Sequence, residues 1–174
     1  MEATQRVWDP LVRVLHWTLV LSLLVSWLGT FAVSGTHQPA GWLALAVVVC
    51  RVAWGFVGTR HARFARFVRG PRATWAYAKA VLRGREPRHI GHNPLGACMV
   101  LALMACVAGL ALTGWLYTTD AFWGDATVES LHVALAWTLG VLVCLHVAGV
   151  FYTGWRQRES LLLAMFSGRK RRDG

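Results

Sequence analysis

The chain has 174 residues, of which 56% are hydrophobic and 15% charged, and its mean hydropathy is +0.44. This composition excludes an ordinary soluble domain and is typical of an integral membrane protein. The formal net charge of +10 would suggest nucleic-acid binding in a soluble chain. Here the basic residues gather between apolar runs, so membrane topology and contact with lipid explain them, and we expect no nucleic-acid partner.

Four apolar runs have the length of a transmembrane helix, about twenty residues. They extend roughly over residues 11–33, 39–57, 94–117 and 128–152. Asn93 and Pro94 mark the start of the third run, because asparagine caps helices and proline suits their first turn. The first run is long and lacks a small-residue cleavage site, so we expect it to remain as a span.

The basic residues predict the orientation of these spans. Lysine and arginine are absent from loops 34–38 and 118–127 but abundant in loop 59–93 and in both terminal segments. The positive-inside rule therefore places both termini and loop 59–93 in the cytoplasm. The chain is therefore expected to cross the cytoplasmic membrane several times.

Two segments outside the spans also carry structural predictions. Trp75, Ala78 and Leu82 follow helical spacing in segment 71–82, which predicts a short interfacial helix on anionic lipid. The alternative is a solvated basic loop. Residues 168–174 end in RKRRDG and are predicted to form a disordered basic tail. The sequence thus predicts one all-α domain over 1–174, a four-helix transmembrane bundle with this interfacial helix between spans 2 and 3.

Four histidines are candidate sites, because ionisable side chains inside membrane spans are costly. His132 and His146 lie fourteen residues apart in the fourth run, about 21 Å along the helix axis and on the same seam of a left-handed bundle. His16 lies near the cytoplasmic start of the first span, at the depth of His146. His37 lies at the start of the second span, on the side of the membrane away from the cytoplasm, at the depth of His132. We therefore pair His16 with His146, and His37 with His132.

These two pairs predict two haem sites at different depths. Two neutral imidazoles suit a six-coordinate haem iron, and each should donate its other ring N–H to a carbonyl or hydroxyl. No Cys-x-x-Cys-His motif is present, which excludes covalent c-type attachment. The alternatives are packed or interfacial histidines, or a zinc or copper site. The gap of about 21 Å forbids one metal ion shared by all four histidines.

Arg51 is the one basic residue well inside a span, and it lies fourteen residues after His37. That spacing puts it about 21 Å deeper, at the level of His16 and His146. A haem propionate is a natural partner for it, and the alternative is that it snorkels to the cytoplasmic face. Arg13, one turn before His16, is a second candidate for this role. We expect the loop histidines to make surface or headgroup contacts; they are His61, His89 and His92.

Several segments resemble the bacterial cytochrome b561 and nickel-iron hydrogenase cytochrome b group. They are RVWDPLVRVLHW, the His37 start of the second span, RVAWGFVG, GTRHARFARFVRGP, GHNPLG and the spaced pair His132/His146. The resemblance covers nearly the whole chain and implies non-covalent haem b at His16, His37, His132 and His146. It also implies electron transfer between a periplasmic redox partner and membrane quinone. The chain is shorter than the hydrogenase subunits and has four spans rather than five, so it looks more like the compact stand-alone type.

The predicted function is a membrane electron carrier that relays electrons through two stacked haems between quinone and a periplasmic partner such as a c-type cytochrome. Acidic residues of the outer side would steer a basic partner. One alternative is a stand-alone quinol or quinone oxidoreductase, for example one acting on superoxide. Another is a haem-free structural or transport membrane protein. A homodimer is a further expectation, since four spans leave a haem edge near lipid.

Overall fold

The computed structural model describes residues 4–31 and 35–171, apart from the side chain of Phe31. Its elements, in chain order, are β1 (Thr4–Arg6), α1 (Pro10–Phe31), α2 (His37–Val57), α3 (Phe64–Phe67), α4 (Pro71–Leu82), α5 (Pro94–Leu116), α6 (Ala126–Gln157), α7 (Leu161–Ser167) and β2 (Arg169–Arg171). Part of the predicted loop 34–38 and the last three residues of the predicted tail lie outside the described residues.

The predicted all-α fold with four membrane-length helices is confirmed. Helices α1, α2, α5 and α6 are each long and apolar enough to cross a membrane, and each matches one predicted span. Helix α6 continues to Gln157, five residues past the predicted end of the fourth span. Which side the termini face remains a prediction.

Three of the four long helices begin at a short polar side chain that caps their first turn. Asp9 Oδ1 accepts from Val12 N at the start of α1 (2.9 Å), and Asn93 Oδ1 accepts from Gly96 N at the start of α5 (2.7 Å). Asp125 Oδ1 accepts from the backbone N–H groups of residues 127 and 128 in the first turn of α6, both at 2.9 Å. Each bond satisfies donors that a helix start otherwise leaves unpaired. The predicted start of the third span at Asn93–Pro94 is thereby confirmed.

The chain divides into two compact units. Unit 1 comprises Met1–Arg13, Ala53–Leu101 and Leu145–Gly174, and unit 2 comprises Val14–Val52 and Ala102–Cys144. Unit 2 contains parts of the four long helices and the segments that join α1 to α2 and α5 to α6. Neutral contacts join its helices: Trp27 packs edge-to-face on Trp137, with ring centroids 6.1 Å apart, and Cys106 Sγ donates to Leu135 O (3.4 Å).

Unit 1 contains the short elements. Strands β1 and β2 pair antiparallel, with Gln5 opposite Lys170, and Lys170 is buried. The predicted disorder of the tail is therefore wrong for Arg169–Arg171. Backbone pairing with the other end of the chain, together with packing of Lys170 over the Trp8 ring, orders a segment whose composition alone predicts disorder.

The predicted short helix over residues 71–82 is confirmed as α4, with the same bounds. Gly70 precedes it in an extended conformation and Pro71 occupies its first turn, where the missing N–H of proline costs nothing. Tyr77 is buried, while Trp75 and Leu82 are exposed. The helix therefore has an inner and an outer face, and its contact with lipid remains a prediction.

Candidate haem site

His37 and His132 come together in unit 2. His37 is the first residue of α2, and His132 lies in the second turn of α6. Their ring centroids are 6.0 Å apart and their planes are inclined by 68°. The structure thus brings together the two histidines that depth along the spans had paired.

The ring of His37 is oriented by the end of α1. Its Nδ1 lies 2.9 Å from the backbone oxygen of Ser26 and 3.1 Å from Thr30 Oγ1. A carbonyl oxygen can only accept, so Nδ1 carries the hydrogen and donates it to Ser26 O. In a neutral imidazole the other nitrogen, Nε2, then has the free lone pair.

The ring of His132 is oriented by a hydroxyl of α5. Its Nδ1 lies 2.9 Å from Thr113 Oγ1, and Thr113 is buried. The single hydrogen of this hydroxyl is directed to the carbonyls of Gly109 (2.9 Å) and Leu110 (3.2 Å). The hydroxyl therefore accepts from Nδ1–H of His132, and Nε2 again keeps its lone pair.

This arrangement fits an iron held between two imidazoles. A metal about 2 Å from each coordinating nitrogen places the two ring centres about 6 Å apart, which is the spacing observed. The second-shell bonds that fix ring orientation and tautomer in such sites are those to Ser26 O and Thr113 Oγ1. No charged side chain takes part in them, as suits a site inside a membrane.

Glycines allow the helices to approach these histidines. A Cβ on Gly114 would lie 3.2 Å from Cε1 of His132, and a Cβ on Gly29 would lie 2.9 Å from the backbone nitrogen of His37. The second contact is closer than real Cβ atoms approach other heavy atoms, so a side chain at position 29 would push α1 away from the start of α2.

The other predicted ligands lie on the predicted helices. His16 is in α1 within unit 2, half-buried, with its ring edge-to-face on Trp17 at 5.2 Å. His146 is half-buried in α6 and belongs to unit 1. Their pairing and their ligation of a second haem remain predictions.

The two predicted propionate partners also have defined places. Arg51 is half-buried in α2, within unit 2. Arg13 belongs to unit 1, where its side chain passes Gly168, and its Nε is buried without a hydrogen-bond partner among the described residues. A buried donor of this kind is suited to an anionic group that the protein itself does not supply.

The loop histidines are packed more closely than the sequence suggests. His92 lies between the rings of Trp8 (4.7 Å) and Phe67 (4.6 Å). His89 packs edge-to-face on Tyr77 at 5.2 Å. Burial, followed by the charges of Arg60 and Lys170, lowers the pKa of His61. These residues stabilise unit 1, and the described residues contain no group of three His, Cys, Asp or Glu that could hold a metal ion.

The structure also identifies functional candidates that the sequence reasoning missed: Ser26, Thr30 and Thr113. Thr30 and Thr113 each hydrogen-bond back to their own helix, as serine and threonine commonly do in helices, whereas the hydroxyl of Ser26 donates to the backbone oxygen of His37 in α2. A threonine nineteen residues before His132 is no sequence signal. Only the rotation of α5 against α6 shows that it faces the imidazole.

Comparisons with known proteins identify a family for the chain. Residues 7–168 match the family model described as prokaryotic cytochrome b561. A relative named probable Ni/Fe-hydrogenase B-type cytochrome subunit, from Bradyrhizobium diazoefficiens, is 25% identical over 96% of this chain and 86% of its own length. Relatives with the same name come from Rhodobacter capsulatus (22% identical, 94% and 80% covered) and Azotobacter vinelandii (25%, 93% and 86%). No solved structure matches the chain.

The match covers both histidine pairs, all four long helices and most of unit 1, which is far more than half of the chain. A membrane-integral b-type cytochrome implies haem b as its cofactor, and the haem-free alternative is therefore disfavoured. This chain belongs to the prokaryotic cytochrome b561 family.

Proposed function

We propose that this cytochrome relays electrons through two haem b groups between membrane quinone and a redox protein on the far side of the membrane. The observation that carries the proposal is the His37–His132 pair, with ring centroids 6.0 Å apart and both Nδ1 atoms committed to oxygen acceptors. Two neighbouring imidazoles that each keep the lone pair of Nε2 favour a six-coordinate iron, which carries electrons rather than binding a substrate.

In this proposal the chain supplies ligation, orientation and charge. His37 and His132 hold one iron, and Ser26 O and Thr113 Oγ1 prevent their rings from rotating. When bound, the haem supplies a one-electron carrier, and the protein sets its potential through ligands, hydrogen bonds and burial.

The second haem is assigned to His16 and His146. Both lie half-buried on helices of membrane length, and the spacing of His132 and His146 along α6 puts the two sites about 21 Å apart along that helix. Arg51 and Arg13 are the proposed partners of the propionates of this haem, because an arginine in an apolar span needs an anion.

Two classes of redox partner are open to this function. The sequence favours a small periplasmic protein such as a c-type cytochrome, attracted by Asp120, Asp125 and Glu129. The relatives are named as hydrogenase subunits, which makes a nickel-iron hydrogenase the other candidate. Purified protein with reduced haem, mixed with each oxidised partner in turn, would identify the partner that accepts electrons.

The first test is the haem content and the absorption spectrum of the purified protein, oxidised and then reduced. We expect two non-covalent b haems per chain with low-spin bis-histidine spectra. One haem per chain would limit the function to the His37–His132 site. A colourless protein from cells supplied with haem would overturn the proposal.

A further inference from the structure

Five arginines follow one another at every third position in the segment that leads into α4. They are Arg60, Arg63, Arg66, Arg69 and Arg72, and together they are called the arginine row. Backbones with three residues per turn place every third side chain on the same side. Arg63, Val68 and Gly70 have such extended conformations, with φ between −64° and −73°. The segment also includes a turn at residues 59–62 and the single turn of α3, and Arg72 lies in the first turn of α4.

The burial pattern shows that the row faces outward. All five arginines are exposed, whereas Ala62 and Phe67, which lie between them, are 2% and 5% exposed. Arg63 Nε also donates to Gly58 O (2.7 Å), which fixes the start of the segment. The apolar residues thus anchor the backbone, and the charged groups are displayed together on its outer side.

Two carboxylates of unit 1, those of Glu86 and Glu159, are engaged by arginines outside the row. Glu86 Oε1 accepts from Arg156 (2.9 Å), and Glu159 Oε2 accepts from Arg88 (3.1 Å). No ion pair of the described residues involves a member of the arginine row. Guanidinium groups bind phosphate oxygens in a fork geometry, so a row of them without a carboxylate partner among the described residues is suited to binding several phosphates.

Helix α4, whose first turn contains the last arginine of the row, indicates which kind of anion binds. In α4, Trp75 is 65% and Leu82 is 87% exposed, while Tyr77 is buried. Lys79 Nζ lies over the Trp75 ring at 5.4 Å. An indole and an aliphatic chain exposed on a short helix, beside several cations, are typical of a helix that lies in the headgroup region of a bilayer.

We propose that the arginine row and α4 form a binding surface for anionic phospholipids. The arginines bind the headgroup phosphates, and Trp75 and Leu82 enter the adjoining acyl region. A lipid is favoured over an acidic protein because the apolar side chains of α4 need a hydrocarbon layer and not only a negative surface. This surface is independent of the haem assignment.

Native mass spectrometry of the full-length protein in neutral detergent can test this surface. Phosphatidylglycerol is titrated against phosphatidylcholine, and the bound lipids are counted. We expect the protein to bind phosphatidylglycerol preferentially and to lose it as salt is raised, since screening weakens such contacts. The variant Arg66→Gln/Arg69→Gln/Arg72→Gln should bind it at least tenfold more weakly, because each basic group contributes roughly a fivefold gain at an anionic surface.

A matched control removes three exposed arginines of unit 1 outside the row: Arg85→Gln/Arg158→Gln/Arg169→Gln. It carries the same net charge as the test variant and should keep nearly wild-type binding. If both variants lost phosphatidylglycerol equally, net charge and not the arginine row would explain the binding, and the proposal would be wrong. Unchanged binding in the test variant would also overturn it. So would equal binding of the two lipids by the wild-type protein, a measurement that needs no variant. Retention of an acidic partner protein instead of lipid would show that the row serves a protein interface.

Discussion

The two units of this cytochrome hold their key side chains by different chemistry. In unit 2, His37 and His132 are oriented by a backbone carbonyl and a hydroxyl, and no charged side chain takes part in the hydrogen bonds described for these two rings. In unit 1, the carboxylate of Asp9 accepts from Val12 N (2.9 Å), Trp54 Nε1 (3.1 Å) and Thr59 Oγ1 (2.5 Å).

The difference follows from what each group must do. A ligand to a metal inside a membrane has to stay neutral and keep one lone pair free, and neutral acceptors achieve this without burying a charge. A residue that ties helix ends together benefits from a full charge, because charge-assisted hydrogen bonds are about twice as strong as neutral ones. Changes in unit 2 should therefore alter spectra and potentials, whereas changes at Asp9 should alter stability.

The largest expected effect is the loss of a haem from the His37–His132 site. We expect His132→Ala and His37→Ala each to remove the same haem, because one imidazole cannot keep a six-coordinate iron. His16→Ala and His146→Ala should remove the other. Haem content and reduced spectra measure this, with His89→Ala, in the basic loop, as a control that keeps both haems. If His16→Ala and His132→Ala removed the same haem, the pairing by depth along the spans would be wrong.

The next effect concerns the stability of unit 1. Asp9→Ala removes the helix cap and leaves the donors of Trp54 and Thr59 without their acceptor, which should cost about 2 kcal/mol. Thermal unfolding in detergent, followed by circular dichroism, measures the loss. Asp120→Ala, on the exposed outer loop, should leave the melting temperature nearly unchanged. An equal shift in the two variants would remove any special role for Asp9.

The same contact predicts a pH dependence of stability. Burial raises the pKa of Asp9, but hydrogen bonds from Thr59, Val12, Trp54 and Leu11 outweigh it and hold the pKa below the ordinary value of 3.8. A group with a lowered folded pKa stabilises the protein fully above its unfolded pKa, and the contribution is lost as pH falls through the folded value. The stability difference between wild type and Asp9→Ala should therefore be constant near neutral pH and shrink below about pH 3.8.

The third effect is electrostatic and tests the propionate assignment. Arg51→Leu removes a positive charge from an apolar span, which should lower the midpoint potential of one haem and leave the other nearly fixed. Arg51→Lys keeps the charge and should restore most of the potential. A redox titration with two unchanged midpoints would exclude Arg51 as the partner of a propionate.

Sequence reasoning reached the elements that depend on hydropathy and local chemistry. The four long helices, α4 and the Asn93 cap follow from apolar run length, helical spacing and capping preference. The pairing of β1 with β2 did not follow, because strand pairing between the two ends of a chain leaves no periodic signal in three basic residues. An aspartate before Pro10 is a recognisable cap signal, but its bonds to Trp54 and Thr59 depend on tertiary packing.

The sequence predicted which two histidines come together in unit 2, but not what holds their rings. Depth along the spans identified His37 with His132, since helical rise converts sequence distance into height. To predict the acceptors for their Nδ1 atoms, one must know the rotation of each helix about its axis. The spans contain several serines and threonines, and a different rotation would have placed others of them beside the histidines. The prediction that each ring donates to a carbonyl or hydroxyl is met at this pair by one acceptor of each kind.

The smallest expected effect tests the hydroxyl that accepts from His132. Thr113→Val keeps the shape of the side chain but removes the hydroxyl that accepts from His132 Nδ1. Without this acceptor the imidazole is a weaker electron donor to iron, so the potential of one haem should rise. A hydrogen bond of about 1 kcal/mol corresponds to about 40 mV for a one-electron couple.

Thr113→Ser retains the hydroxyl and should keep the wild-type potential, and Thr138→Val, which removes a hydroxyl bonded only to Ala134 O, is the matched control. Loss of the haem in Thr113→Val would mean that the threonine holds the ring in place rather than tuning it. Full haem content with unchanged potentials would mean that the bond does neither. In that case the neutral hydrogen bond of His132 would contribute to packing alone. It would then differ from the hydrogen bonds of Asp9 in strength but would have the same role, which is to stabilise the fold.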